Sequence, residues 1–485
     1  MNKFYSYLTL LVVAISTLFS SCNSDEVYAS LLLSQSKIYF SELDDSIVIS
    51  YTGSNIVEIS YDEDDVPDGW EIIISRANAT VTVYGPTTME DFEASLDSSS
   101  VTFTAISPDD NYTYDYLTLG TTDNEKVSLE DQQANSFLVT QPNTIYSYNA
   151  TIIGENQGTI SPTEVSILWK TTPSPVSYTR LVDDRIEFHV AYDENDYDGD
   201  DEYDDIIEGN VVIAAYDASG DILWSWHVWV TEYPEADREV TLNNTTLMTR
   251  NLGANNNSTY DYYSILQSYG MYYQWGRKDP FVGALYFDAS GGSDAVMYNE
   301  ALSTAYISYE ESTSSIGKQS YAIENPLSFI LGVEDSSYDW LYSNHSDALW
   351  SDVKTVNDPC PKGWRVASPE VFSGLMIPTL TSDEMTDIAN NYGWDLSDSA
   401  GNSALFMGLG RRTYLTGKIH NYNLNESSPA PWVGYYWTTA PDASTNNSSY
   451  AMYFAYDQDE PANSVIQTSS YYRANGMQVR CQRDE

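Results

Sequence analysis

The sequence has few of the side chains on which catalysis and metal binding most often depend. It contains 3 cysteines and 4 histidines in 485 residues. The histidines are scattered and none stands in a metal-ligand spacing such as His-x3-His; they are His189, His227, His345 and His420. Acid–base or nucleophilic chemistry needs a positioned set of such groups. We therefore expect a protein that is not an enzyme, with chemistry by paired carboxylates, of which the 71 acidic residues offer many, as the alternative.

Basic residues are scarce as well. Only 21 Lys and Arg stand against 71 Asp and Glu, a net charge of -50 at pH 7. Such a field repels phosphate backbones and anionic lipid surfaces, which excludes nucleic acid as a partner. The chain is 42% hydrophobic and 14% aromatic, unlike acidic disordered chains. Its 41 tyrosines suit positions with one apolar and one wet face. They favour β-sheets with large solvated surfaces and leave a stacking surface for sugars open.

Long hydrophobic runs are absent after the first stretch of the chain. That stretch has Lys3 and an apolar run from Leu8 to Phe19, about a dozen residues, whereas a spanning helix needs about twenty. The pattern indicates an export signal. Two serines then precede Cys22, which resembles a bacterial lipoprotein cleavage site, and the acidic residues 23–26 resemble the export tag of surface-exposed lipoproteins. We expect Cys22 to be acylated and the protein to face outward from the outer membrane. Ordinary secretion, with Cys22 discarded or free, is the alternative.

The other two cysteines are Cys360, in the segment NDPCPKGWRV, and Cys481, near the end of the chain. If Cys22 carries lipid, these are the remaining thiols in an exported and oxidising compartment, so they should form a disulfide. The loop that this bond closes has about 120 residues, and the chain-entropy model assigns it about 4 to 5 kcal/mol. The bond would join the entry of the last domain to its final strand.

The hydrophobic pattern predicts several domains. Short alternating strands broken by turn residues indicate a β-sandwich of the immunoglobulin-like class before Pro142, and a second one follows it. Helical signals mixed with strands then predict an α+β domain. The predicted boundaries are 1–21 for the signal peptide, 22–30 for a tether, 31–142 and 143–237 for the two sandwiches, and 238–485 for the last domain.

Local patterns add detail to these domains. In the strand ILWSWHVWV, Trp224 and Trp226 share one face. Packing in a sandwich core explains them best, with an aromatic sugar platform as the alternative. In the last domain, Ser368 before Pro369 predicts a helix N-terminus. A second helix is predicted over 381–392, from a capping box to the stop at Gly393.

The most charged stretch, DENDYDGDDEYDD, is a candidate calcium loop. If its glycine is aligned with that of a calcium-binding loop, six carboxylates take ligand positions: Glu194, Asp196, Asp198, Asp200, Glu202 and Asp205. The match departs from the pattern because Glu replaces the first Asp and Asp replaces the final bidentate Glu. The flanks also have strand patterns, not helical ones. A solvated acidic hairpin tip is the alternative, and no cofactor is required.

Five segments in order resemble the Fibrobacter succinogenes major paralogous domain. They cover roughly the last half of the chain and are LMTRNLGA (247–254), GMYYQWGRKDPF (270–281), NDPCPKGWRVASPEVF (357–372), GYYWTTA (434–440) and ANGMQVRC (474–481). The resemblance implies a C-type lectin-like fold with a disulfide between the Cys-Pro loop and the last strand, where Cys360 and Cys481 stand. The family is associated with surface lipoproteins and fimbria-like assemblies. The segment 31–141 is loosely similar to the sandwich domains called BACON, and no binding residues follow from that.

Within the signature, Arg277, Lys278 and Arg365 are conspicuous because cations are rare in this chain. We interpret them as salt bridges within the domain, with ligand contact as the alternative. For ligand contact the strongest candidate is the long, polar, proline-bounded loop 411–432, since function concentrates in such loops. A disordered insertion is the alternative for this loop. Its side chains suited to stacking are Tyr414, His420, Tyr422 and Trp432.

Two functional hypotheses follow from the sequence. In the first, the protein is an adhesin or a fimbria tip-like subunit on the cell surface, with two sandwiches as a stalk and the last domain as recognition head. Its partners would be a host or microbial surface and fimbrial subunits. In the second, it is a glycan-binding lipoprotein of a polysaccharide-uptake system. Both hypotheses use the last domain for recognition.

Overall fold

The computed structural model describes residues 27–193, 205–285, 294–377, 392–420, 433–455 and 465–484. Within these ranges the protein is built almost entirely from β-sheets, arranged as two sandwiches followed by a larger C-terminal unit. Three short α-helices of six residues each accompany them: α1 (Met89–Ala94), α2 (Tyr262–Gln267) and α3 (Gln319–Glu324).

The first sandwich pairs two four-stranded sheets. Its strands are β1 (Ser30–Leu33), β2 (Lys37–Phe40), β3 (Ser46–Ser54), β4 (Glu58–Tyr61), β5 (Glu71–Ser75), β6 (Thr80–Tyr84), β7 (Ser99–Ile106) and β8 (Tyr112–Thr121). The strand orders are β1-β3-β6-β5 and β2-β8-β7-β4. Burial alternates along β3, so that Ile47, Ile49 and Tyr51 point into the core. This period of two is the one predicted from the sequence.

The second sandwich has a larger sheet against a smaller one. Its strands are β9 (Val127–Ser128), β10 (Ser136–Val139), β11 (Thr144–Asn149), β12 (Ile152–Ile153), β13 (Gly158–Thr159), β14 (Glu164–Lys170), β15 (Val176–Val182), β16 (Arg185–Val190), β17 (Gly209–Tyr216) and β18 (Ile222–Val230). One sheet has the order β15-β16-β11-β9, and the other contains β10-β18-β17-β14. Strands β9 and β10 precede the predicted boundary at residue 142, yet they pair with β11 and β18 of this sandwich.

The C-terminal unit contains seventeen short strands within the described residues. They are β19 (Glu239–Leu242), β20 (Thr245–Met248), β21 (Tyr272–Gln274), β22 (Met297–Tyr298), β23 (Thr304–Ala305), β24 (Ser308–Glu311), β25 (Ser328–Leu331), β26 (Trp364–Val366), β27 (Gly393–Ser397), β28 (Ser403–Met407), β29 (Arg411–Arg412), β30 (Ile419–His420), β31 (Val433–Pro441), β32 (Ser448–Ala455), β33 (Val465–Tyr472), β34 (Gly476–Gln478) and β35 (Cys481–Arg483). Its largest sheet has the order β30-β29-β34-β31-β32-β33, with β21 beside β34.

The helix predicted after Ser368 is a single 3-10 turn over Pro369–Phe372, and the described part of the C-terminal unit is mainly strand, not an even α+β mixture. The turn ends at Ser373, which has an extended backbone, and the side-chain amide of Asn243 donates to the carbonyl oxygens of Val371 and Ser373. Met376 then forms an antiparallel bridge with Ser397. The second predicted helix, over 381–392, falls almost entirely outside the described residues.

The C-terminal unit shares its hydrophobic core with the second sandwich. Trp169, Val212 and Trp229 belong to the same buried cluster as Trp275 and Trp350 of that unit. Strand β22 also pairs with β14, so the larger sheet continues as β14-β22-β23. The two units are therefore one packed body, not modules on a flexible linker.

The two sandwiches meet through aromatic side chains and charges. The ring of Tyr39 stacks on His189 at 4.6 Å between centroids, and the hydroxyl of Tyr178 donates to the carbonyl oxygen of Tyr39 at 2.7 Å. Arg180 links Asp45 of the first sandwich, at 2.6 Å, to Glu187 of the second, at 2.8 Å. A fixed orientation of the first sandwich relative to the second follows from these buried contacts.

Candidate functional site

The segment NDPCPKGWRV is linked to the last strand of the C-terminal unit, β35, by a disulfide and by strand pairing. Cys360 and Cys481 are joined by a disulfide, with 6.0 Å between their Cα atoms. Trp364 begins β26, which pairs with β35, and its indole packs beside the disulfide in the shared core. Arg483 lies over that indole at 4.3 Å. The motif is therefore a structural joint.

Two residues that the sequence analysis did not single out hold this joint. The buried ammonium of Lys354 donates to a carboxylate oxygen of Asp358 at 2.9 Å and to the carbonyl oxygens of Cys360 and Trp364. Asp358 accepts in turn from the backbone N–H groups of Cys360 and Val366. The spacing of four between Lys354 and Asp358 was the available sequence signal.

The cations of the signature are engaged inside the protein. Arg277 donates to the Oε1 of Gln274 and to a backbone carbonyl, and burial lowers its pKa to about 10. Lys278 bonds to Asp279 and to Ser225 of the second sandwich. Arg365 lies 3.3 Å from Asp484. Arg277 also lies 3.8 Å from Asp279, so each of the three cations has a carboxylate partner within the protein, as the salt-bridge interpretation expects.

The acidic calcium candidate lies mostly outside the described residues. Of its six carboxylates the structure describes Asp205 alone; Glu194, Asp196, Asp198, Asp200 and Glu202 are not covered. The N–H of Asp193 donates to the carbonyl oxygen of Asp205 at 2.7 Å, and Tyr192 and Ile206 form an antiparallel bridge. The flanks are therefore paired like the base of a hairpin. Among the described residues no group of three or more His, Cys, Asp or Glu side chains is placed to hold a metal ion.

The histidines have separate hydrogen-bonding roles. His189 bonds to Ser177 and Asn143, and His227 bonds to Ser136 and Asn210. Burial lowers the pKa of both imidazoles to about 3, so they are neutral at physiological pH.

A third histidine, His345, pairs with a buried carboxylate. Its Nδ1 lies 2.8 Å from Asp339, whose side chain is fully buried. Burial raises the pKa of Asp339, and the bond to His345 opposes that rise.

The candidate loop begins at β29 and β30, and two of its four predicted residues are described. Tyr422 and Trp432 lie outside the described residues, as does Cys22. Tyr414 is partly buried and forms a tyrosine triad with Tyr338 and Tyr472. The three ring centroids are 4.9 to 5.4 Å apart. The loop therefore starts beside a cluster of aromatic rings that reaches the surface.

The backbone under the triad is strained. Ser337 and Tyr338 have φ angles of 53° and 65°, in the left-handed region that side chains other than glycine rarely adopt. The side-chain amide of Asn447 holds the carbonyl oxygen of Ser337 at 2.7 Å, and the N–H of Tyr338 donates to Val333. Strain of this kind persists where the surrounding structure enforces it, and it clusters at functional sites.

An arginine–tyrosine surface, made of Arg411, Tyr435, Tyr453 and Tyr471, adjoins the triad. The guanidinium of Arg411 lies over Tyr435 at 4.7 Å and over Tyr471 at 5.2 Å. Tyr435 and Tyr453 are cross-strand partners with ring centroids 5.1 Å apart. Tyr435 is buried and the other three side chains are partly exposed. The buried ring supports a layer of side chains that reaches solvent.

The charge of Arg411 is unpaired within the described part of the chain. No carboxylate there lies within salt-bridge distance, and its guanidinium donates no hydrogen bond to a described residue. By contrast, the neighbouring Arg412 is buried and bonds to Asp294 at 2.9 Å. In a protein with 71 acidic residues, a half-buried guanidinium whose donors bond to no described residue can serve a ligand oxygen.

The titratable groups around Arg411 keep fixed protonation states at neutral pH. Burial raises the pKa of Tyr453 to about 12 and also raises the pKa of Tyr471. His420, opposite Arg411 across β29 and β30, has its pKa lowered by burial and by the Arg411 charge. The surface therefore offers one cation, neutral hydroxyls and a neutral imidazole.

The predicted loop 411–432 begins at Arg411, but most of the described arginine–tyrosine surface lies outside that loop. Arg411 opened the loop, yet only its aromatic neighbours were selected. Tyr435, Tyr453 and Tyr471 come from β31, β32 and β33, outside the loop. The signal that could have found them is the repeated tyrosine in GYYW, YAMYF and SSYY, because alternation places one tyrosine of each segment on a single face.

Comparisons with known proteins identify no family. No family model matches the chain, and no curated protein matches it. Among solved structures, the Ig1-2 module of the Drosophila receptor protein tyrosine phosphatase DLAR is 9% identical, covering 42% of this chain and 99% of the other at a TM-score of 0.18. Protocadherin gammaB7 is 14% identical, covering 42% and 50% at 0.16. At these scores the likenesses carry no functional conclusion.

One further solved structure comes from Bacteroides ovatus. It is a protein of a mixed-linkage glucan utilization locus in complex with a mixed-linkage heptasaccharide, 12% identical, covering 40% of this chain and 43% of the other at a TM-score of 0.13. Within the described residues, none of the helices has the length and apolar character needed to cross a membrane.

Proposed function

We propose that the protein is a lipid-anchored lipoprotein on the outer face of the outer membrane and acts as a non-catalytic adhesin or fimbria tip-like binding subunit. The export signal ending at Cys22 and the resemblance of the C-terminal half to the Fibrobacter succinogenes major paralogous domain support this assignment. The resemblance also supports a C-type lectin-like fold for that half. Recognition is the task of the C-terminal unit.

The arginine–tyrosine surface is the observation that carries the proposal. Binding hot spots are enriched in Tyr and Arg, and their energy comes from side chains that are already ordered and partly desolvated. Arg411 is held between Tyr435 and Tyr471 before any partner arrives, so little side-chain entropy remains to be lost on binding.

The donors of Arg411, which bond to no residue in the described ranges, define the chemical group that a partner would present. A guanidinium donates two parallel hydrogen bonds to a carboxylate and can also donate to a carbonyl oxygen. The net charge of -50 does not prevent such a contact, because salt screens charges over about 8 Å at physiological ionic strength. We therefore assign Arg411 to a carboxylate on the recognised surface, with Tyr453 and Tyr471 stacking beside it.

The test uses the full exported chain, fluorescently labelled, on bacterial and epithelial cells in flow cytometry. Arg411→Gln should reduce cell binding about tenfold, the loss of a charged hydrogen bond. Wild-type binding should fall as salt is raised. Arg76→Gln in the first sandwich removes the same charge at a distance and should leave binding unchanged. Equal binding by wild type and Arg411→Gln would refute the proposal, as would an equal loss in Arg76→Gln.

The glycan-binding alternative has its own supporting observation, the tyrosine triad. Three partly exposed rings on a strained, well-supported backbone offer stacking to a sugar face without any charge. A glycan array with the full chain separates the two functions. Discrete sugar hits that vanish in Tyr414→Ala and persist in Arg411→Gln would favour glycan uptake over adhesion.

A further inference from the structure

Strand β33 is a long, unpaired edge of the largest sheet. It covers Val465–Tyr472, pairs with β32 on one side and has no strand partner on the other side among the described residues. Its eight residues make it the longest outer strand of the described sheets. An unpaired edge presents backbone donors and acceptors that another strand can use, so native proteins protect such edges.

The other outer strands of the described sheets have protections that β33 lacks. They have five residues or fewer, except β15, which has seven and carries Arg180 in ion pairs with Asp45 and Glu187. Short strands and charged side chains both discourage pairing with a second chain. Strand β33 has the sequence VIQTSSYY, with no charge and no proline. Its edge is therefore open to the addition of another strand.

The register identifies the backbone groups of β33 that point outward. The N–H of Arg473 donates to the carbonyl oxygen of Asn447, one step beyond the ladder between β33 and β32. Antiparallel pairs alternate between bonded and non-bonded residues, so every second residue before Arg473 bonds to β32. The alternate residues Ile466, Thr468 and Ser470 direct their N–H and C=O groups away from β32. The described residues provide these groups with no hydrogen-bond partner.

Charge favours a second copy of this chain as the partner. The net charge of -50 makes two copies repel each other in most orientations. The outer part of the largest sheet is an exception, because β31, β32 and β33, of nine, eight and eight residues, contain no charged residue in a chain of which 19% is charged. A neutral edge accepts a neutral facing strand without leaving a charge unpaired, and β33 of a second copy is such a strand.

The outward groups define one symmetric register for this pairing. When two copies of β33 pair antiparallel about Thr468, this residue lies opposite Thr468 of the second copy, and Ile466 lies opposite Ser470. Identical copies are related by a two-fold axis, which here passes through the Thr468 pair. All facing side chains are neutral, and the β-branched Ile466 and Thr468 suit cross-strand packing. The register therefore satisfies the outward groups of both copies at once.

From these observations we infer that the chain forms a two-fold dimer through β33, in which the largest sheets of two copies join into one continuous antiparallel sheet. Pairing through one edge strand buries less surface than a standard interface. We therefore expect a weak dimer, with a Kd of about 1 to 100 µM.

The dimer presents two recognition surfaces on the same side. Gln467 and Tyr471 share a face of the sheet with Tyr453, and Arg411 lies over Tyr471 on that face. A two-fold axis perpendicular to the sheet leaves this face of both copies pointing in the same direction. Two surfaces on one particle bind a repetitive target more tightly than one surface. This consequence rests on the proposed function, whereas the dimer itself does not.

The experiment is sedimentation velocity of the full exported chain at about 1 to 200 µM, in about 0.15 M and about 0.5 M salt. Thr468→Lys and Thr468→Glu each place like charges opposite each other in the inferred register, which destabilises a strand pair. A mixture of the two variants places opposite charges there instead. Thr241→Lys is the matched control, because Thr241 is also exposed and lies on β19, an outer strand of another sheet in the same unit. Thermal unfolding checks that each variant is folded.

We expect wild type and Thr241→Lys to dimerise alike, and more strongly at the higher salt concentration, because salt screens the repulsion between two acidic chains. Each Thr468 variant alone should dimerise about fivefold more weakly. An equimolar mixture of the two should recover the wild-type affinity. Hydrogen exchange at the amides of Ile466, Thr468 and Ser470 should slow as the dimer forms.

A wild type that stays monomeric at about 200 µM in both salt concentrations would overturn the inference and leave the edge to a strand of another protein. Equal dimerisation by wild type and Thr468→Lys would also overturn it, as would a mixture that dimerises no better than its components. Cell binding by Arg411→Gln reports on the proposed function separately, so failure of the dimer and failure of the proposed function are distinguishable.

Discussion

Inward and outward side chains alternate along both β8 and β18, but the outward side chains of β18 are buried and the outward tyrosines of β8 are exposed. In β18 the inward residues Trp224 and Trp226 fill the second sandwich, and the outward residue Trp229 is also fully buried. In β8 the inward residues Leu117 and Leu119 are buried, whereas the outward tyrosines are bare. The difference lies in what covers each sheet. The C-terminal unit packs on the outer face of β18, and no described element packs on the outward tyrosines of β8.

A covered face and an open face require different side chains. On the covered face the polar groups are paired across the interface: Ser225 donates to Asp279 at 2.7 Å, and Asn210 donates to the carbonyl of Gly253. Burying such groups without partners would cost free energy. On the open face water satisfies the tyrosine hydroxyls, so rings can stay exposed and available. The exposed tyrosines of the first sandwich can therefore take part in binding without a loss of free energy of unfolding.

Removing the disulfide should destabilise the covered face of β18 the most, because the bond between Cys360 and Cys481 holds together the C-terminal unit that packs on that face. Replacing Cys360 and Cys481 by Ser should lower the free energy of unfolding of the C-terminal unit by about 4 kcal/mol. Denaturation followed by tryptophan fluorescence measures the change. Hydrogen exchange should increase in β18 and stay unchanged in β7 and β8. Equal loss of protection in the first sandwich would contradict the view that the disulfide acts on the cover alone.

Trp229→Ala removes a buried side chain of β18 from the face that the C-terminal unit covers. The indole is fully buried between the second sandwich and the C-terminal unit, so its removal leaves a cavity in the shared core. We expect a loss of about 3 to 4 kcal/mol in the free energy of unfolding, measured by urea denaturation. Trp229→Phe should recover part of that loss. A loss below about 1 kcal/mol would show that the two units do not depend on this contact.

The sequence was sufficient for the features set by local pattern. Period two gave the inward faces of β3 and β18, and the two remaining thiols in an oxidising compartment gave the pair that the structure joins. Long-range pairing was beyond it: nothing local indicates that β10 pairs with β18, across roughly ninety residues. The sequence also does not show which sheet face is covered by another unit, because the same alternating pattern contains the buried Trp229 and the exposed Tyr114.

The candidate site was predictable only in part, for a related physical reason. A loop is recognised by its length and composition, so 411–432 could be selected. Tyr435, Tyr453 and Tyr471 are brought to Arg411 by strand order in the largest sheet, which pattern alone does not fix. Whether a guanidinium is paired is likewise a tertiary property: Arg411 has no carboxylate partner among the described residues, whereas Arg412 beside it bonds to Asp294.

A half-buried carboxyl at the meeting point of the two sandwiches and the C-terminal unit should make the free energy of unfolding depend on pH. Glu300 accepts from the Nε2 of Gln35 at 2.9 Å and borders a cavity of 330 Å³ shared by both sandwiches and the C-terminal unit. Burial raises its pKa from 4.5 to about 7, against the opposing bond from Ile167 and the charge of Lys170. The folded state therefore favours the protonated form. Its stabilising contribution is complete below about pH 4.5 and is lost as the pH rises through about 7.

Glu300→Gln tests this dependence by removing the titration. Relative to wild type, the variant should gain about 1 to 3 kcal/mol between about pH 4 and pH 8, from urea denaturation at each pH. Glu239→Gln, an exposed carboxyl in the same unit, serves as the control and should show no comparable gain. A constant difference between Glu300→Gln and wild type at both pH values would mean that Glu300 does not titrate in this window.

The smallest effect is expected on the open face. Tyr114→Ala removes a ring that is 55% exposed and packs in no core cluster of the described residues, so the free energy of unfolding should change by less than about 0.5 kcal/mol. The same substitution type at Trp229 should cost several times more, measured in the same urea series. If Tyr114→Ala instead destabilises the protein by about 2 kcal/mol, the outward tyrosines of β8 pack against another part of the chain and are not an open face. A near-zero value leaves their rings unused by folding, which is the condition for a binding face.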